Sequence, residues 1–190
     1  MSPKLKRKNP IRNLFLLFAA CYLSLNSFGC GYTTRSMISN QYRTIYITPF
    51  TNQIEFISQS DTGDKYKVYR PHLETDVTKA VIDRYMFDGN LKVVEKDKAD
   101  LILVGDIQEF RRDPLRYDDN DNVVEYRLNM IVNISLLDVK ENRKIWEESG
   151  YTGDFSYFVT GPQASSEDKA IADSIQDLAR RIVERTVEQW

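Results

Sequence analysis

An α+β domain is predicted, with a mixed, mostly antiparallel four- to five-stranded sheet and two helices packed on one face. Three observations predict it. Along residues 125–136, Tyr126, Leu128, Met130, Val132, Ile134 and Leu136 alternate with mostly polar neighbours, the period of a long strand with one buried face. Two other stretches, near residues 71–85 and 167–187, instead repeat apolar residues at the helical period. The resulting order is strand, helix, strand, strand, long strand, strand, helix, and one sheet with both helices on the same side satisfies it.

The first segment is set apart from that domain. Lys4, Lys6, Arg7, Lys8 and Arg12 precede an apolar run over residues 14–25, and small residues then lead to Gly29 and Cys30. These are the three parts of an export signal, and the run is shorter than the ~20 apolar residues of a membrane-spanning helix. Residues 1–29 are therefore expected to be a cleaved signal, 30–41 a lipidated cysteine with its tether, and 42–190 a single domain. Cys30 is the expected lipidation site because a cysteine after glycine at the end of such a run resembles the bacterial lipobox. Ser27 and Phe28 depart from the usual pattern, and Cys21, preceded by Ala19 and Ala20, is the rival site. Gly31, where an Asp favours retention in the inner membrane, directs the expectation to the outer membrane. The chain has 2 cysteines, both in this region, so the mature domain has no disulfide and no cysteine nucleophile.

Composition narrows the function classes. Hydrophobic residues at 42% and charged residues at 28% suit a folded core. The net charge of -2 hides an asymmetry: five of the 26 basic residues precede residue 30, leaving 21 against 28 acidic side chains, a net of -7. So acidic a domain repels phosphodiester backbones, which argues against nucleic acid as a partner.

Residues 43–50 are β-branched and aromatic, with Pro49 expected to end the strand or mark an edge. Residues 51–69 read as a surface loop whose apolar members Ile54, Phe56 and Ile57 either tuck onto the core or bind something. Pro71 suits a first helical turn, Leu73, Val77, Ala80, Val81 and Tyr85 form the buried stripe, and residues 88–90 stop the helix. His72, the one histidine, has no companion at metal-ligand spacing and reads as a surface residue. Strands follow at 91–95 and 100–110, the latter with an unbroken apolar run and Gly105 as a bulge or close packing contact; Asp113 and Pro114 are expected to end it. The acidic run 118–122 lacks the glycine and the distant glutamate of a calcium loop and reads as a solvated turn. A hairpin strand over 144–151 surrounds Trp146. Ser165, three residues before Asp168, is the expected cap of a C-terminal helix with the stripe Ile171, Ile175, Leu178, Ile182 and Val183.

Four pieces taken together resemble the lipopolysaccharide-assembly lipoproteins of the LptE type: Gly29-Cys30-Gly31-Tyr32, residues 45–52 (IYITPFTN), residues 99–107 (ADLILVGDI) and Lys144-Ile145-Trp146. Their order and spacing agree over nearly the whole mature chain, while residues 53–70 are longer than the family pattern. The resemblance implies an outer-membrane lipoprotein, lipid-anchored on the periplasmic side. It implies a domain that plugs the LptD-type β-barrel, helps it assemble and contacts lipopolysaccharide, with no cofactor and no catalysis. Lipopolysaccharide carries phosphates, so Arg111, Arg112 and Arg116 are candidate contacts; the alternative is that they only balance Asp113, Asp118 and Asp119. The LpoB and CsgG groups, adaptors of a peptidoglycan synthase or a secretion pore, share part of the pattern. A hydrolase using Asp106 and Glu109 is disfavoured, because odd spacing on a strand is expected to turn them to opposite faces.

Overall fold

The computed structural model describes residues 41–54 and 70–188. The expected signal, Cys30, most of the tether, and Phe56 and Ile57 lie outside the described residues. The elements are β1 (Thr44–Ile47), β2 (Thr51–Asn52), α1 (Leu73–Asp88), β3 (Lys92–Val93), a 3-10 turn (Lys96–Lys98), β4 (Leu101–Tyr117), β5 (Val123–Asp138), β6 (Arg143–Phe158) and α2 (Glu167–Glu188). The strands form one sheet in the order β3-β1-β4-β5-β6, with β2 beside β4 further along. β1 lies parallel to β3 and β4, β2 parallel to β4, and β4, β5 and β6 are antiparallel. Both helices pack on one face, against the buried residues of β1, β4 and β5.

The α+β class, the mixed sheet and the two helices match the expectation, but the sheet has six strands rather than four to five. The extra strand comes from a break in the first. Pro49 has no N–H to give the ladder, and the Phe50 N–H turns aside to the Thr78 hydroxyl of α1 at 2.9 Å. Pairing resumes at Thr51, opposite Asp106. β4 also runs through Asp113 and Pro114 instead of stopping there. Past Ile107 neither β1 nor β2 flanks it, so a residue without an N–H sits on an open edge, and a register shift between Pro114 and Arg116 absorbs the irregularity.

Helix limits shift by small steps. α1 begins at Leu73, after Pro71, and His72 adopts a left-handed cap conformation with φ 61°. Gly89 closes the same helix at φ 74°, donating its N–H to the Tyr85 carbonyl, a conformation that costs a residue with a Cβ more than glycine. Ser166, not Ser165, caps α2: its hydroxyl accepts the Lys169 N–H at 3.3 Å.

The predicted stripes are the observed core. Leu73, Val77, Ala80, Val81 and Tyr85 of α1, and Ile171, Ile175, Leu178, Ile182 and Val183 of α2, are buried in one core, with α1 against α2 and β1–β3 and α2 against β5 and β6. Ile54 packs onto this core from the chain after β2. Each large apolar side chain taken from water contributes about 1.5–3 kcal/mol. Two glycines set how closely the layers approach. A Cβ on Gly105 would lie 2.2 Å from the Phe50 ring, and one on Gly153 would lie 2.7 Å from Leu178 Cβ. Between the helices, the buried Tyr85 hydroxyl donates to Thr186 Oγ1 at 2.7 Å.

Two aspartates close the end of the sheet where the domain begins. Asp100 Oδ2 accepts the Arg43 and Thr44 N–H groups and the Thr44 hydroxyl, while its other oxygen meets Lys140 Nζ at 2.8 Å. Asp138 accepts the Tyr42 hydroxyl at 2.6 Å and the Lys140 and Glu141 N–H groups. The hydrogen bond from Lys140 holds the Asp100 carboxyl at about 2, and the bond to Asp138 raises the Tyr42 phenol to about 12.

Two outcomes are expected. Gly105→Ala should lower stability by about 1–3 kcal/mol through overpacking, and Phe50→Leu in the same chain should recover part of it in a denaturant double-mutant cycle. Asp100 is depressed in the fold, so its contribution of about 2 kcal/mol is present above its unfolded value near 4 and fades as pH falls toward 2. Asp100→Asn should thus be destabilised at pH 7 and lose less stability than the parent between pH 5 and pH 2, followed by urea unfolding.

Candidate functional site

Beyond the helices, β4 and β5 continue as a hairpin, and the three candidate arginines lie along it. They do not converge. Arg111, on the sheet face away from the helices, reaches Glu109 at 3.3 Å and Asp113 at 3.1 Å. Arg112 points through the sheet to the helix side, where it meets Glu167 at the start of α2 at 2.6 Å. There its guanidinium lies 5.0 Å above the Tyr126 ring, which stacks in turn on Tyr157. Arg116 approaches Glu125 at 3.4 Å and the Phe158 ring at 5.6 Å, with its side chain 63% exposed.

Arg127 is the cation that sequence reasoning missed. It stands on the outward face of β5, paired in register with Asp113 and Ser156, exposed and with no ion pair among the described residues. The signal was present in the alternation of β5, where Arg127 falls among the polar positions. The outward surface of the hairpin therefore presents Arg111, Arg116 and Arg127, and Arg112 belongs to the packing of α2.

The two carboxylates weighed as an acid–base pair also differ from expectation. Gln108 is an extra residue in β4, since the register moves between Ile107 and Glu109. That bulge turns Glu109 to the same face as Asp106, so the predicted opposition of the two is wrong. Asp106 accepts the Thr51 hydroxyl, and Glu109 accepts Arg111. His72 is exposed beside an open depression lined by Asn52, Arg70 and Glu74. In the acidic turn, Asp118 Oδ1 accepts the Asn120 and Asn122 N–H groups at 2.8 and 2.9 Å. Those bonds, chiefly from Asn122, lower its carboxyl. No cluster of three potential metal ligands occurs among the described residues. A cleft of about 610 Å³ opens between the end of β6 and the start of α2, with Phe155, Phe158, Ser166 and Lys169 on its walls.

The LptE family model, described as lipopolysaccharide-assembly, matches residues 42–186. The chain belongs to the LptE family. Its match runs from the first buried residue of the domain to the last turn of α2, covering all six strands and both helices. Among solved structures, a Xanthomonas campestris protein is similar at TM-score 0.53 and 11% identity, with 78% of this chain and 88% of that one covered. The rare lipoprotein B of Shewanella oneidensis is similar at TM-score 0.43 and 15% identity, over 74% of this chain and 92% of that one. No curated protein sequence matches the chain.

In this LptE member the recognisable motifs serve the fold. Phe50 meets Gly105, Asp100 holds the start of β1, and Trp146 lies 4.8 Å below the Arg185 guanidinium, which pairs with Glu148. Exposed positions outside these motifs are left to make contacts. Arg112→Ala should cost about 1 kcal/mol of stability by removing both the Glu167 pair and the ring contact. Arg127→Ala should stay within about 0.5 kcal/mol of the parent in chemical unfolding; an equal loss in both would mean that Arg127 is structural too.

Proposed function

We propose that this chain is an outer-membrane lipoprotein, acylated at Cys30, that plugs an LptD-type β-barrel and assists its assembly while lipopolysaccharide passes to the cell surface. Membership in the LptE family over the entire described fold carries this reading. The surface supports it: the outward sheet face has no helix on it among the described residues and presents polar and charged side chains such as Asp106, Asn133, Arg111 and Arg127. A plug in a barrel lumen needs such an exterior, because lumen walls are polar.

Lipopolysaccharide phosphates are met on this reading by Arg111, Arg116 and Arg127, whose planar guanidinium groups bind them bidentately. Arg112, already engaged by Glu167, supports the hairpin from behind. The chain is read as non-catalytic: Asp106 and Glu109 are engaged as acceptors by Thr51 and Arg111, and neither contacts a histidine or cysteine among the described residues.

Purification of the tagged, full-length protein from its native envelope should recover a large outer-membrane β-barrel, and depletion should lower surface lipopolysaccharide. Recovery of a peptidoglycan synthase without such a barrel would transfer the protein to the LpoB-like adaptors. Asp106→Asn and Glu109→Gln are expected to complement a depleted strain fully. Loss of complementation by a folded variant of either would contradict a non-catalytic role.

A further inference from the structure

Large hydrophobic side chains exposed among the described residues fall at the two ends of the domain. Leu115, Tyr117 and Val159 lie at the far hairpin, whereas Met86, Phe87 and Val139 lie at the end where the chain enters. The placement of the second group follows from the backbone. α1 passes through Gly89 to β3, whose Lys92 N–H bonds the Arg43 carbonyl. The Val139 N–H bonds the Asp100 carbonyl, and the Asp100 carboxylate in turn holds the Arg43 N–H. Phe87 is 81% exposed and Met86 60%, although both follow directly on the fully buried Tyr85.

We infer that this entry end, led by Phe87 and Met86, rests in the surface of the lipid leaflet that holds the acyl chains. The inference depends on acylation at Cys30, as proposed above. Eleven residues, 31–41, separate Cys30 from Tyr42, so even fully extended they keep Tyr42 within about 40 Å of the anchored cysteine. The entry end is thus the end of the domain to which the anchor's tether is joined. An exposed phenylalanine and methionine there gain by leaving water, at about 25 cal/mol per Å² of apolar area.

The charges around them fit a headgroup layer. Arg84 lies 5.4 Å over the Phe87 ring and can keep its guanidinium among headgroups while its stem follows the ring inward. Arg43, Lys92 and Lys96 are exposed at this end without ion pairs among the described residues, against the exposed Asp83 and Asp97 and the half-buried Asp88. Lys98, Lys140 and Arg143 are already paired, to Glu95, Asp100 and Glu141. Counting Arg84, the excess is modest, so the apolar pair leads the contact and the cations orient it.

The test uses the full-length, acylated protein in vesicles of phosphatidylethanolamine and phosphatidylglycerol. Once Cys30 carries lipid and the signal with Cys21 is removed, an introduced cysteine is the one free thiol. A spin label is placed at Phe87→Cys and, as a control, at Thr75→Cys on the exposed surface of the other end of α1. At 87 the label should collide readily with oxygen and be shielded from a water-soluble nickel chelate, with an oxygen-to-nickel ratio several-fold above that at 75. Equal ratios in protein that mass spectrometry shows to be acylated and vesicle-bound would overturn the inference and leave the anchor intact. Shielding at 87 that appears only after a barrel partner is added would also overturn it, assigning the surface to protein. A chain that carries no acyl group and labels at Cys30 would remove the anchoring reading, and this inference with it.

Discussion

The contact between Phe50 and the backbone of β4 at Gly105 is the constraint on which the rest of the arrangement depends. Pro49 interrupts the first strand, the freed Phe50 N–H goes to Thr78 of α1, and the Phe50 ring then occupies space that any Cβ at 105 would fill. One residue therefore joins strand, sheet centre and helix. Because the interior is close-packed, moving this ring would displace α1, and α1 is bonded to α2 through Tyr85 and Thr186. Gly153 plays the corresponding part beneath α2, where Leu178 approaches the sheet.

Electrostatics divides the molecule by its ends. Near the entry, Asp100 and Asp138 are internal staples that satisfy backbone N–H groups, a lysine and a tyrosine, so charge there is spent on closing the fold. Along the opposite hairpin the Arg111–Asp113 pair is partly solvated and weak, whereas Arg116 neutralises a Glu125 carboxylate that is only 7% exposed. A solvated pair such as that of Arg111 exchanges one anion for another at little cost, which is the property that the proposed contact with lipopolysaccharide phosphates requires.

Part of the candidate site was legible in the residue string and part was not. Arg111 and Arg116 were recognised from their crowding at the end of a strand, yet their separation from Arg112 follows only from which face each occupies. Arg127 was visible as a polar position of β5, but its proximity to the hairpin arginines depends on the β4–β5 register. The same limit explains the misplacement of Glu109. One bulged residue reverses the facing of everything beyond it, and nothing in the residues 106–109 announces where a ladder will slip.

Periodicity alone determined the α+β class, the order of elements, both helical stripes and the core face of β5, since burial of one face imposes a repeat of 2.0 or 3.6 residues that survives in any context. Composition likewise showed a basic and apolar first segment ahead of an acidic remainder. Tertiary structure decided the sixth strand, the continuation of β4 through Pro114, the facing of Glu109 and the exposure of Phe87. Each of these depends on whether a neighbour is present: an edge tolerates a proline, a partner strand fixes a register, and an aromatic ring counts as core or surface only by what lies against it.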